Sequence, residues 1–140
     1  MTSTGAPKQS LGIGEVAERT GLSVHALRFY EREGLLVGPL QRTSGGRRRY
    51  TALDVDWLLI CVKLRASGMP LADLKHFAEL VRHGPGNEEQ RLRLLDTHRR
   101  RVDAQIQALE ECRSLIAWKT GVYAEHLARG DAGGLWDPTA

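Results

Sequence analysis

From Glu88 to Ala128 the chain has no proline and a single glycine, Gly121. A run of ~40 residues without a breaker reads as one helix roughly 60 Å long, at about 1.5 Å per residue. A domain built from the remainder of a 140-residue chain has no face long enough to bury it. Leu92, Leu95, Val102, Ile106, Leu109, Ile116 and Tyr123 fall on a three-four alternation that Arg99, Arg113 and Thr120 interrupt without shifting. A weaker stripe, Ala108, Cys112, Leu115 and Val122, runs beside it in the C-terminal half. An apolar seam on a helix that cannot be buried alone predicts a coiled-coil homodimer, with Leu92, Leu95, Val102, Ile106, Leu109 and Ile116 as its dimerisation residues.

Upstream, the text breaks into short helices. In "IGEVAERTGLS", Ile13, Val16 and Ala17 recur at helical spacing, Gly21 permits a left-handed cap, and Ser23 is a natural N-cap for a second helix over about 23–32. That second helix turns Leu27 and Tyr30 to one side and leaves His25, Arg28 and Arg32 on or near a polar one. Two short helices across a glycine-bearing turn form the helix-turn-helix layout, whose second helix brings its early residues to base edges in the major groove. Gly34 closes that helix, and "SGG" lies between Arg42 and the run Arg47, Arg48, Arg49, Tyr50. This predicts a short two-stranded wing with Gly45 and Gly46 at its tip.

Charge supports the use of this end of the chain. Residues 1–50 carry eight Lys/Arg against four Asp/Glu, whereas residues 51–140 carry twelve against thirteen. No acid lies among residues 38–50, the pattern of a surface that meets phosphate. Arginine supplies planar, always-charged donors for that purpose. The residues expected at double-stranded DNA on these grounds are Ser23, His25, Arg28, Arg42, Arg47, Arg48, Arg49 and Tyr50. Two further helices cover this pair. One starts at Thr51 as N-cap with Asp54 closing a capping box, and turns Val55, Leu58, Leu59, Val62 and Leu64 to a core. The other starts near Pro70, repeats Leu71, Leu74, Phe77, Ala78 and Val81, and stops at Gly84.

Several classes fall away. The first ten residues hold no signal-peptide core and no segment approaches a membrane span, so the expectation is a cytoplasmic protein without membrane contact. Cys61 and Cys112 lack disulfide-framework or metal spacing, and reduced thiols are the default. His76, His83, His98 and His126 form no H-E-x-x-H, and neither a phosphate-cradling glycine loop nor a nucleophile elbow is present, so no enzyme, cofactor or metal is expected. The expected division is a flexible tail over 1–10, a winged helix-turn-helix domain over 11–84, a dimerisation helix over 87–128 and a flexible tail over 129–140.

As an ordered set, "IGEVAERTGLSVHALRFYEREGLL", "SGGRRRY" running into "TALDVDWLLICVKLRASGMPLADL", and the long terminal helix resemble the MerR family of transcriptional regulators over about residues 11–127. The resemblance implies a mainly α fold, a winged helix-turn-helix with a small β wing joined to a long C-terminal helix that forms an antiparallel coiled-coil dimer. It implies binding to a pseudo-palindrome in an overlong promoter spacer, and distortion of that DNA so that the promoter elements line up for RNA polymerase. The family's leucine-arginine-aromatic-tyrosine string matches Leu27, Arg28, Phe29 and Tyr30, which implies DNA contacts for Arg28 and Tyr30. Its wing pattern matches Gly46, Arg48 and Tyr50, with Arg48 as phosphate contact. The family's threonine before that string is Ala26 here.

The same resemblance bears on sensing. Metal-sensing members have cysteines at the start of the dimer helix and in a following loop, and residues 87–90 have none. Drug-binding members add a large C-terminal domain that this chain lacks. The text "FAELVRHG" and "RLRLLDTHRRRVDAQIQALEE" is most similar to the short redox and aldehyde-responsive branch. That branch places its reactive cysteine at the position of Lys63, two residues after Cys61, which is a turn of about 200° on a helix. Cys61 is therefore expected in the core. Cys112 and Cys61 remain the candidate thiol sensors, with no effector identified. The alternative reading is a DNA-architectural, excisionase-like winged-helix protein that answers to no effector.

Overall fold

The computed structural model describes residues 10–39, 41–130 and Leu135. Among these, the elements run α1 (Ile13–Thr20), α2 (Val24–Arg32), β1 (Gln41–Arg42), β2 (Arg48–Arg49), α3 (Ala52–Ala66), α4 (Leu71–His83) and α5 (Glu88–Ala128). The fold is mainly helical, with one antiparallel two-stranded ribbon and a long terminal helix. It divides into two units, residues 1–98 and 99–140. The tails expected at 1–10 and 129–140 lie largely outside the described residues.

In the first unit the helix boundaries follow local chemistry. Gly21 ends α1 at φ +77° and donates its N–H to the Ala17 carbonyl, a left-handed conformation that glycine adopts without penalty. Thr20 closes the same turn, donating Oγ1–H to Val16 O at 2.8 Å and accepting from the Leu22 N–H. Ser23 caps α2 by accepting from the Ala26 N–H at 3.0 Å. Thr51 and Asp54 form a reciprocal capping box at α3: the Asp54 N–H reaches Thr51 Oγ1 and the Thr51 N–H reaches Asp54 Oδ2 at 2.8 Å. This satisfies donors that a helix start leaves open.

Leu27, Leu35, Tyr50, Leu58, Cys61, Met69 and Leu74 are fully buried at the centre. Leu59, expected among the core-facing residues of α3, is instead 39% exposed, because α3 buries the side that carries Trp57 and Cys61 as well as Leu58. Trp57 stacks on Phe77 of α4, with ring centroids 5.5 Å apart, and donates its indole N–H to Leu35 O at 2.7 Å. Arg82 of α4 donates to Gly34 O and Leu36 O, and Lys75 pairs with Glu33 at 2.7 Å. The segment that leaves α2 toward the wing is thus held by α3 and α4 together.

The opening turns of α5 belong to this unit, so its packing runs on to His98 rather than stopping near Gly84. Leu94 packs against the core and His98 is buried, with Nε2 2.8 Å from Ser67 Oγ. The Ser67 hydroxyl gives its single proton to Leu64 O at 2.9 Å. The imidazole therefore donates from Nε2, and Nδ1 is buried without a hydrogen-bond partner among the described residues. Leu92 and Leu95, each one residue past a member of the packed row of Arg91, Leu94 and His98, remain exposed. Trp57→Phe removes the indole donor but keeps the ring stack. We expect it to lower unfolding free energy by about 1–3 kcal/mol, read from urea titration, because Leu35 O is left buried and unpaired.

Candidate nucleic-acid interface

The wing is tied down from beneath. Leu11 and Tyr50 exchange both backbone hydrogen bonds, at 2.7 and 2.9 Å, and the Tyr50 ring is wholly buried. The ribbon pairs Gln41 with Arg49 and Arg42 with Arg48. Its turn closes through the Gly46 N–H to Thr43 O and the Thr43 N–H to Arg47 O, with Gly46 at φ +83°. The wing, α2 and the start of α1 then enclose a cleft of about 670 Å³. Arg28, Arg42, Arg47, Arg48 and Arg49 line it, Glu31 is its one carboxylate, and Gly12, Ile13 and Gly14 form its backbone edge.

That edge adds donors which the side-chain pattern did not reveal. The N-cap of α1 is Gly12, which offers no side-chain cap, and a Cβ added at Gly14 would meet nothing within 4 Å. The first-turn N–H groups of α1 thus open on the arginine cleft, an arrangement suited to phosphate oxygens. Glycines flanking Ile13 were the available signal.

The expected contact residues divide by depth. Ser23, His25 and Arg28 are exposed along the start and face of α2, and Arg42 and Arg47 are exposed on the wing. Arg28 and Arg47 make no side-chain hydrogen bond or ion pair among the described residues, which leaves their donors available. Arg49 is turned inward: Nε donates to Ser10 Oγ at 3.1 Å and Nη2 to Ser10 O, which fastens the segment before α1. Arg48, expected as a phosphate contact, lines the cleft but is buried, 7% exposed, with Cζ 5.1 Å from the Tyr50 ring centroid. Tyr30 and Tyr50 are likewise buried rather than displayed, since both rings are needed to close the core under α2 and the wing. Burial raises both phenols above their ordinary value.

Comparison with known proteins agrees with this geometry. Residues 11–80 match the family model described as MerR HTH family regulatory protein, and residues 55–118 match the model described as MerR, DNA binding. The chain belongs to the MerR family. An HTH-type transcriptional regulator of Haemophilus influenzae is 37% identical over 116 residues, covering 83% of this chain and 85% of that one. The solved structure of HiNmlR, described as a MerR family regulator lacking the sensor domain and bound to promoter DNA, superposes with a TM-score of 0.79 at 34% identity, covering 93% of this chain and 98% of that one. A MerR family regulator from Listeria monocytogenes gives a TM-score of 0.81 at 31% identity, over 86% and 91% of the two chains. This MerR-family chain is thus a DNA-binding transcriptional regulator, a non-enzymatic role, and no helix among its described residues is long and apolar enough to cross a membrane.

The two thiols of this MerR-family protein sit in opposite surroundings. Cys61 has no exposed surface, and burial pushes its thiol up to about 12, so at neutral pH it stays protonated and unreactive. Cys112 is exposed on α5. Alkylation under native conditions should therefore modify Cys112 well before Cys61, as read by mass spectrometry of the peptides. The sign of the linked pH effect follows: Cys61 holds its proton more tightly folded than unfolded. The stability this reflects is complete below the ordinary value of 9.0 and is lost as pH rises toward 12. Cys61→Ala should flatten part of the alkaline loss of stability in urea titrations, and the raised phenols of Tyr30 and Tyr50 act in the same direction.

Proposed function

We propose that this regulator acts as a cytoplasmic homodimer on a pseudo-palindromic promoter operator, where it distorts an overlong spacer so that the promoter elements line up for RNA polymerase. The observation that carries its DNA-reading half is the cleft in which five arginines, the open N-terminus of α1 and the exposed face of α2 converge. In this reading Ser23, His25 and Arg28 approach base edges, Arg42 and Arg47 take phosphates, and Arg48, Arg49, Tyr30 and Tyr50 hold that surface in place. HiNmlR, which was solved on promoter DNA, matches nearly the whole chain.

Support for the dimer comes from α5. Ile106, Leu109, Ile116 and Tyr123 are 49%, 68%, 63% and 42% exposed, an apolar row that a lone helix would leave in water. The row is symmetric about a point between Gln107 and Ala108. Ile106 and Leu109 lie equally far from that point, as do Val102 and Arg113, Arg99 and Ile116, Leu95 and Thr120, and Leu92 and Tyr123. A two-fold axis there matches every seam position with a seam position of an antiparallel second copy. Under the same operation Cys112 faces Asp103, and the two Cys112 residues are separated by roughly 13 Å along the axis. That register disfavours a disulfide between them.

Two measurements test the proposal. Ile106→Lys with Leu109→Lys should yield monomers in sedimentation and lose tight binding to the promoter region of the protein's own gene. Arg47→Ala should weaken that duplex and a scrambled one about equally and lower the salt slope by roughly one unit. Arg28→Ala, where it reaches a guanine edge, should cost about 1–3 kcal/mol on the promoter duplex alone. A wild type that sediments as a monomer at micromolar concentration, or full affinity in both arginine variants, would overturn the reading.

A further inference from the structure

Arg42 and Arg48 stand directly opposite each other in the wing ladder, so their side chains leave the same face of the ribbon. Like charges so placed repel, and the pair needs an acid. Glu31, in the last turn of α2, is the carboxylate that lines the arginine cleft with both. Its Oε1 lies 2.5 Å from Arg42 Nη2, while Arg42 Nη1 donates to Gly46 O at the wing tip, 3.0 Å away. Among the described residues Arg48 has no carboxylate partner and leans on Tyr50 instead. Its Nε and Nη2 are buried without a hydrogen bond, and the side chain is 93% removed from solvent, being 7% exposed. Arg48 and Glu31 also meet in a second, smaller cavity of about 290 Å³, walled by Gly34, Leu36 and Gly38.

A buried guanidinium with unmade bonds is unfavourable, and it persists only where the surrounding structure holds it. The Arg42–Glu31 pair, by contrast, is half in water, with side chains 44% and 25% exposed, so solvent screens it and it breaks readily. A phosphate entering the cleft offers Arg42 a stronger, bidentate partner. It would then leave Glu31 unpaired beside a polyanion unless the carboxylate turned to the donors that Arg48 already presents.

We propose that Glu31 is a positioning residue shared in alternation by the two opposed arginines. It holds Arg42 in the free protein and passes to Arg48 when a DNA phosphate takes Arg42. Glu31 itself touches no DNA. The exchange masks one wing charge until phosphate arrives, and it locks the wing against α2 only in the complex. It rests on the assignment of this face to DNA.

The test uses the full chain and a mixed-sequence duplex, since phosphate contacts are independent of sequence. Arg42→Ala should lower the salt slope by about one unit. Two double-mutant cycles then locate the carboxylate. In urea unfolding of the free protein, Glu31→Gln should couple to Arg42→Gln and not to Arg48→Gln. In duplex binding, Glu31→Gln should couple to Arg48→Gln by about twofold or more in affinity. Should Arg48→Gln fail to fold, the Arg48 Nε–H resonance of the wild type should shift and exchange more slowly as duplex is added. An undiminished salt slope in Arg42→Ala, no Glu31–Arg48 coupling in binding, or an unmoved Arg48 resonance would make the ion pair a static brace and overturn the exchange. If Arg28→Ala and Arg47→Ala also bind as wild type, the DNA assignment of the face falls with it, whereas weakened binding by those two alone confines the failure to the exchange.

Discussion

The buried ring of Tyr50 is the constraint on which the arginine-lined cleft depends. Its backbone bridges to Leu11 and so fixes where α1 begins, its ring face carries the Arg48 guanidinium, and the next residue, Thr51, starts the capping box of α3. One aromatic residue thereby sets three starting points at once: the wing, the first helix and the third. The cleft between the wing, α2 and the start of α1 depends on that placement, and Trp57 and Arg82 clamp the segment that joins α2 to the wing.

Much of this fold is legible in the residues, for reasons that are local. Gly21, Ser23, Thr51 with Asp54, and Gly84 each carry a terminus in their own chemistry, and each terminus lies where that chemistry puts it. The basic run and the turn glycines mark the wing. What the residues do not convey is depth. Three consecutive arginines read alike in sequence, yet strand alternation and the Tyr50 ring send Arg47 outward, Arg48 inward and Arg49 sideways to Ser10. Glu31 was equally hidden, since an acid in a helix looks like solvated surface until the wing folds over it. Leu59 faces water although its spacing suits a core, because α3 is apolar on several sides and only one of them meets α4.

The cysteines follow the same logic. Position on a helix distinguishes the core-facing Cys61 from the exposed Cys112, and burial converts that difference into chemistry by holding one thiol protonated far above neutral pH. The thiol on α5 is therefore open to oxidants dissolved in water, whereas the thiol in the packed unit is not.

Arg48 has a consequence for how variants of this protein would evolve. A cation sealed in a core with unmade hydrogen bonds is a position where an apolar residue that fills the same space against the Tyr50 ring can raise thermal stability. Selection for heat resistance alone would discard it, while selection for gene regulation would keep it. Directed evolution under those two pressures should part company at this residue sooner than at the exposed arginines, whose replacement leaves folding nearly untouched.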